Sequence, residues 1–147
     1  GNIDWCTPTD ITKLSGKKYI ISSDRRISEA GLKSSSAELL PCMSIVMTSR
    51  ATIGECAINL QPICTNQGFK NFIPYAESDV QYLYYLLTKQ KQRFISLCTG
   101  STFLEIGKKQ LDDFKVIFPS LSEQKAIAEA LSDIDDLIAA QEELIAK

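Results

Sequence analysis

The sequence contains no histidine in 147 residues. That absence removes Ser-His-Asp and Cys-His catalysis, His-ligated zinc and imidazole acid–base chemistry. Nor does it contain a C-x-x-C pair. Cys6, Cys42, Cys56, Cys64 and Cys98 are odd in number and too widely spaced for a zinc ribbon or a thioredoxin-like site. They are expected to be small buried apolar residues of a chain kept in a reducing cytosol. No apolar run approaches the ~18 residues of a membrane-spanning helix, and no signal-peptide pattern opens the chain. A Walker loop and a G-x-G-x-x-G string are both missing. Charge of one sign is not in excess either: 16 Lys+Arg stand against 18 Asp+Glu, a net of −2. This balance excludes a histone-like basic binder and a highly charged disordered tail.

What is present suits one folded unit. Hydrophobic residues make up 44% of the chain. A domain of this size buries roughly 70% of the surface its unfolded form exposes, enough for a core without disulfides. The opening Gly1, in place of Met, gives the expectation of an excised piece or a cloning scar. The charge is unevenly placed. Residues 1–120 hold 14 Lys/Arg and 11 Asp/Glu, whereas residues 121–147 hold 2 Lys and 7 Asp/Glu. A basic-leaning body would meet a polyanion, and an acidic helical appendage would hold something else.

Pattern and punctuation divide the chain. The first forty residues read as strands broken by loops, with a β-prone run at Lys18-Tyr19-Ile20-Ile21 and a polar loop from Arg25 to Ser36. A loop that long inside a compact domain is usually functional or disordered. Short strands follow at Ile45–Met47, Cys56–Ile58, Ile63–Thr65 and Phe69–Ile73, with a hairpin tip over residues 48–54. Ser78-Asp79-Val80-Gln81 fits a capping box. It opens a helix whose buried face is Val80, Leu83, Tyr84, Leu87, Phe94 and Cys98, ending at Gly100. A β-prone run at 103–106, a helical turn at 108–113 and a strand at 116–118 are expected next. Ser120-Leu121-Ser122-Glu123 caps the last helix. There Ile127, Leu131, Ile134, Ile138, Gln141 and Ile145 repeat at alternating spacings of 4 and 3, the seam of a coiled coil. Such a helix, on the order of 40 Å long, exceeds what the body can cover. The other reading folds it back on its own body.

No catalytic set emerges. Asn71-Phe72-Ile73-Pro74-Tyr75 superficially resembles the Asn-Pro-Pro-Tyr motif of amino-methyltransferases, but only its ends match and no Gly-rich loop precedes it. Ser122 and Lys125 form an S-x-x-K string without its companion motifs. What remains is binding chemistry. Lys17, Lys18, Arg25, Arg26, Lys33, Ser34, Ser35, Arg50, Asn66, Gln67 and Lys70 fall in turns, loops and the run beside them. Arg can bridge guanine N7 and O6, and Asn or Gln adenine N6 and N7. Lys and Ser suit phosphate oxygens, which position without reading sequence. The competing reading is an ordinary polar surface, with Arg50 and Asn66 bracing their own turns.

The strings Gly1-Asn2-Ile3-Asp4-Trp5-Cys6-Thr7-Pro8-Thr9-Asp10-Ile11, Thr48-Ser49-Arg50-Ala51-Thr52-Ile53-Gly54, Thr65-Asn66-Gln67-Gly68 and Pro119-Ser120-Leu121-Ser122-Glu123-Gln124-Lys125-Ala126-Ile127-Ala128 together resemble one family. It is the DNA specificity subunit of type I restriction-modification systems, and the likeness runs along nearly the whole chain. The resemblance implies an α+β target recognition domain with a mixed or antiparallel sheet and packed helices, over residues 1–118. A long coiled-coil-type spacer helix over residues 119–147 would follow. It also implies sequence-specific binding of one half of a split double-stranded DNA site. Methylation and cleavage would belong to methyltransferase and restriction subunits, which alone would bind S-adenosylmethionine and ATP. The chain itself would carry no cofactor and no metal, be cytoplasmic, and touch no membrane. Ile127, Leu131, Ile134, Ile138 and Ile145 would pair with a second copy or a second recognition half. The chain departs from the family pattern in carrying one recognition domain and one helix, and in lacking a stretch before Ile3-Asp4-Trp5. An edge of the sheet is therefore expected to be absent. Two rival classes are a protein-interaction module that never touches DNA and an adenine methyltransferase in its own right.

Overall fold

The structure, a computed structural model, describes residues 1–50, 52–98 and 104–146. Its centre is a three-stranded mixed sheet in which β5 (Cys56–Asn59) pairs in parallel with β2 (Tyr19–Ile20) and antiparallel with β4 (Ile45–Met47). Every residue of β4 and β5 is buried, because both faces of this sheet are covered. Side chains alternate across a strand, so the sheet separates two cores. Ile45, Met47, Cys56 and Ile58 face one side, with Leu83, Tyr84 and Leu87 of α3 (Val80–Lys89), Phe94 of α4 (Lys91–Leu97), and Ile106. Val46 and Ala57 face the other, with Cys6, Ile11, Ile20, Leu40, Ile63 and Phe69.

A second sheet carries β1 (Ile3–Cys6) between antiparallel β3 (Arg25–Ile27) and parallel β6 (Cys64–Thr65). Trp5 stands opposite Arg25 on one side and Cys64 on the other. Residues 69–72 form no continuous strand, yet they run along β4: Lys70 and Phe72 donate to Met47 and Ile45 carbonyls, both at 2.8 Å. The hairpin tip between β4 and β5 turns on Gly54, whose φ is +83°. A Cβ there would lie 3.2 Å from the Lys91 Cα, a backbone atom that cannot swing aside. Gly54→Ala is expected to lower the urea midpoint by the equivalent of about 1–3 kcal/mol, from left-handed strain plus this clash.

The structure corrects several sequence expectations. The polar stretch after Arg25 is not one loop. Arg25–Ile27 is an edge strand on β1, and α2 (Glu29–Lys33) begins at Ser28, whose Oγ accepts from the Gly31 N–H at 3.0 Å. A short helix, α1 (Pro8–Lys13), interrupts the expected strands. Pro8 presets its first turn, and Asp10 accepts the Thr7 N–H at 2.8 Å. The helix after Ser78 is capped by Asp79, which accepts from the Tyr82 N–H at 2.9 Å. It divides at Gln90, where a tight bond to the Leu87 carbonyl ends α3 and Gln90 opens α4. Its buried face is as the periodicity predicts from Leu83 to Phe94. Gly100 and Phe103 lie outside the described residues. Residues 116–118 make no strand, and Ile117 is exposed.

The cysteines divide as well. Cys6, Cys56 and Cys64 are buried, whereas Cys42 is exposed and Cys98 half-buried. Burial pushes the Cys56 thiol up to about 12, and raises those of Cys6, Cys64 and Cys98. Maleimide labelling of the native chain, followed by peptide mass analysis, is therefore expected to modify Cys42 first. Cys6, Cys56 and Cys64 should react only after denaturation.

After a short helix where the turn at 108–113 was expected, α5 (Lys108–Asp112), the last helix, α6 (Leu121–Ile145), starts where the sequence places it, with Ser120 Oγ accepting from the Glu123 N–H at 3.2 Å. It meets the body along Leu121, Gln124, Ala128, Ser132 and Asp135. The coiled-coil seam lies roughly 90° around the helix from that stripe, at 100° per residue. Ile127, Leu131, Ile134, Ile138 and Ile145 are 37–83% exposed, so the seam is not spent on the body.

Candidate nucleic-acid interface

The loops converge at one end of the two sheets. Ser49, at the hairpin tip, donates its N–H to the Gly68 carbonyl at 2.8 Å, and Asn66 donates to Cys6 at the end of β1 at 3.0 Å. Beside them is a cleft of about 520 Å³. Ser35, Asn66, Gln67 and Lys70 line it together with Trp5 and Phe69. Four predicted polar residues, drawn from two loops thirty residues apart, therefore share one surface. The parallel pairing of β1 with β6 brings them there, because it carries the 65–71 segment past Trp5.

Each side chain is differently committed. Asn66 Oδ1 accepts the Gly68 N–H at 2.9 Å, an Asx turn that fixes the loop. Gln67 is exposed at the tip of that turn and has no hydrogen bond among the described residues. Lys70 is half-buried in the cleft wall. Arg25 projects from the edge strand opposite Trp5 and is exposed, as are Lys33 and Ser34 at the end of α2. Arg26 is pulled toward the nearly buried Asp4, with Nε 3.4 Å from Oδ1. Asp4 also accepts the Ser23 N–H at 3.1 Å, so it braces the turn that delivers both arginines.

The remaining predicted residues stand apart. Arg50, at the hairpin tip, is ion-paired with Glu105. Lys17 is exposed, away from the cleft lining. Lys18 points toward α3 and α6, where its Nζ donates to Gln81 Oε1 at 3.0 Å and Ser132 Oγ at 3.3 Å, respectively. Trp5, Phe69 and Asn71 also line the cleft and were not among the candidate DNA-binding residues. Asn71 donates to Thr65 Oγ1 at 2.8 Å and so ties the two ends of the cleft loop. The available signal was Trp5, the one tryptophan in the chain. Among the described residues, no group of three or more His, Cys, Asp or Glu could hold a metal ion. No described helix is long and apolar enough to cross a membrane.

Comparison with known proteins decides the family. A sequence model of the type I restriction modification DNA specificity domain matches residues 1–147. The chain belongs to this family. The specificity subunit of type I restriction enzyme MjaIX from Methanocaldococcus jannaschii is 41% identical over 140 residues, covering 94% of this chain and 32% of the relative. The EcoR124I/EcoR124II specificity subunit of Escherichia coli is 30% identical over 143 residues, covering 93% and 34%. This specificity-domain chain thus spans about a third of the length of the curated relatives it matches. Among solved structures, a chain from work on the assembly and conformational transition of the type I R-M system superposes with a TM-score of 0.78 at 20% identity, over 98% of this chain and 34% of that one. The HsdS subunit from Thermoanaerobacter tengcongensis gives 0.74 at 18% identity, over 97% and 32%. At those identities the likeness speaks for the fold, and it agrees with the α+β body and long terminal helix of this specificity domain.

Proposed function

We propose that this specificity-domain chain reads bases in one half of a split duplex DNA site and thereby directs methyltransferase and restriction partners to it. The observation that carries the reading is the shared cleft of Ser35, Asn66, Gln67 and Lys70, with Arg25 opposite the lining residue Trp5 and Lys33 in the chain between the lining residues Gly31 and Ser35. Residues 1–118 act as the recognition body, with residues 119–147 as the rod. Gln67 is the amide left free for a bidentate contact to adenine N6 and N7, because Asn66 has spent its oxygen on the turn. Lys70, Arg25, Lys33 and Ser34 hold phosphates and set the register. The chain performs no chemistry itself: its sequence brings no imidazole and no Walker-type phosphate loop, and no nucleophile–base pair stands out among the described residues. S-adenosylmethionine and ATP bind to the partners, and the assembly works in the cytoplasm. The exposed seam of α6 pairs with a second recognition half or a second copy.

Selection from a random duplex library by the chain assembled with a type I methyltransferase subunit tests this. Enrichment of a short fixed string is expected. Gln67→Ala should relax one position of it, with about 1–3 kcal/mol of discrimination lost. An assembly that enriches nothing would overturn the reading. Loss of self-association on deleting residues 121–147, with no retention of any duplex, would favour the interaction-module alternative.

A further inference from the structure

The contact between α6 and the body is built unlike the cores on either side of the central sheet. Its stripe of Leu121, Gln124, Ala128, Ser132 and Asp135 offers little apolar area. Direction comes from polar groups instead. Lys18 Nζ lies 4.7 Å from the centroid of the Tyr85 ring, with Tyr19 and Tyr84 at 5.7 and 5.8 Å. From that aromatic cradle it reaches Gln81 on α3 and Ser132 on α6. Gln81 Nε2 in turn donates to Tyr19 OH at 2.9 Å. One turn further along, Tyr85 OH donates to Asp135 Oδ2 at 2.5 Å. Burial, and then the Asp135 carboxylate, push the Tyr85 phenol well above its ordinary value, so it remains a donor throughout the working pH range.

Apolar contact is non-directional and would let a helix roll or tilt, whereas hydrogen bonds weaken steeply once misaligned. With Gln124 anchoring the start of α6, two polar contacts further along, at Ser132 and Asp135, restrain both its tilt and its rotation on the body. They leave the apolar seam facing away. We propose that Lys18, Tyr85, Ser132 and Asp135 are positioning residues, a clasp that sets the angle of the rod and with it the half-site spacing the protein accepts. The second clause rests on the DNA-reading function above. Each base pair turns a half-site by about 34–36° around the duplex, so a body free to swing on its rod would accept neighbouring spacings.

The test begins without DNA. Nitroxides carried on keto amino acids at exposed positions 29 and 140 of the whole chain report body-to-rod distances by pulsed electron resonance. The unaltered clasp should give one narrow distribution. Tyr85→Phe combined with Ser132→Ala, which keeps the ring and the helix, should broaden it about twofold. Ser132→Thr and Asp135→Asn, each retaining an acceptor, should keep it narrow. A double variant as narrow as the parent would overturn the clasp.

In the assembly with the methyltransferase partner, duplexes differing by single base-pair steps between half-sites provide the second readout. The double variant should lose about tenfold in its preference for one spacing while keeping the bases of each half-site. A uniform loss at every spacing would overturn the link to spacing. An assembly with no base preference at all would sink the DNA-reading function and that link with it, while the distance distributions still decide the clasp.

Discussion

Reversing three cations around the cleft, in the triple variant Arg25→Glu, Lys33→Glu and Lys70→Glu, is expected to weaken duplex binding on the order of a thousandfold. About 1.5 kcal/mol for each charge-assisted contact, summed over three, gives that factor. Arg25 and Lys33 are exposed on an edge strand and a short helix, and Lys70 lines the cleft with its backbone N–H held by Met47. None of the three has an ion-pair partner among the described residues. The fold should therefore survive the change, which circular dichroism would verify. A slope of log affinity against log salt shallower by about 2.7 is the specific signature, since each phosphate contact contributes about 0.9. Weakened binding with an unchanged slope would place the lost contacts elsewhere. The same substitutions at Lys108 and Lys109, which pair with Asp112 and Asp113 within their own helix, should leave the slope unaltered.

The second large effect concerns Gln124, fully buried where α6 leaves the body. Its Oε1 accepts the Asp79 N–H at 2.9 Å, and its Nε2 donates to the carbonyls of Glu77 at 3.1 Å and Pro119 at 2.9 Å. One amide thus closes the start of α3 onto the start of α6. Gln124→Leu roughly preserves volume and removes all three bonds, leaving the Asp79 N–H and the Glu77 and Pro119 carbonyls of this part-buried junction without their partner. At about 0.5–1.5 kcal/mol net for each hydrogen bond lost, a loss of about 2–4 kcal/mol is expected. That is a large share of the 5–15 kcal/mol typical of a domain. A fall in urea midpoint, together with faster amide exchange at Asp79, would show it. Exchange unchanged at Asp79 would mean that the Gln124 bonds do not hold this junction.

Several elements were legible in residue order. The strands of the central sheet, the buried face from Leu83 to Phe94, and the Ser120 cap of α6 follow from spacing and punctuation. Others were not, for physical reasons. Helix α1 has six residues and α2 five, too short for a 3.6-residue period to declare itself. Their caps, Thr7-Pro8 with Asp10 and Ser28 with Glu29, were the only local signals. Strand β3 carries two arginines and one isoleucine, and it is a strand because β1 presents a partner edge. The division at Gln90 arises where the hairpin tip at Gly54 packs against Lys91, a contact thirty-seven residues away in sequence.

The candidate site divides in the same way. Residue types alone singled out Asn66, Gln67, Lys70 and Ser35, and the fold gathers them into one cleft. Type alone did not distinguish these from Lys18 and Arg50, whose charges are engaged by Ser132 and Glu105. Nor did it place Trp5 in the cleft lining.

Sequence by itself determined what this chain lacks, imidazole and a C-x-x-C pair, and that its final helix bears an apolar stripe. Those properties depend on composition and on neighbours three and four residues apart. Only the tertiary structure decided which stripe of α6 meets the body and which cations remain free to bind. Those outcomes depend on groups as distant along the chain as Lys18 and Ser132, whose encounter no local pattern encodes.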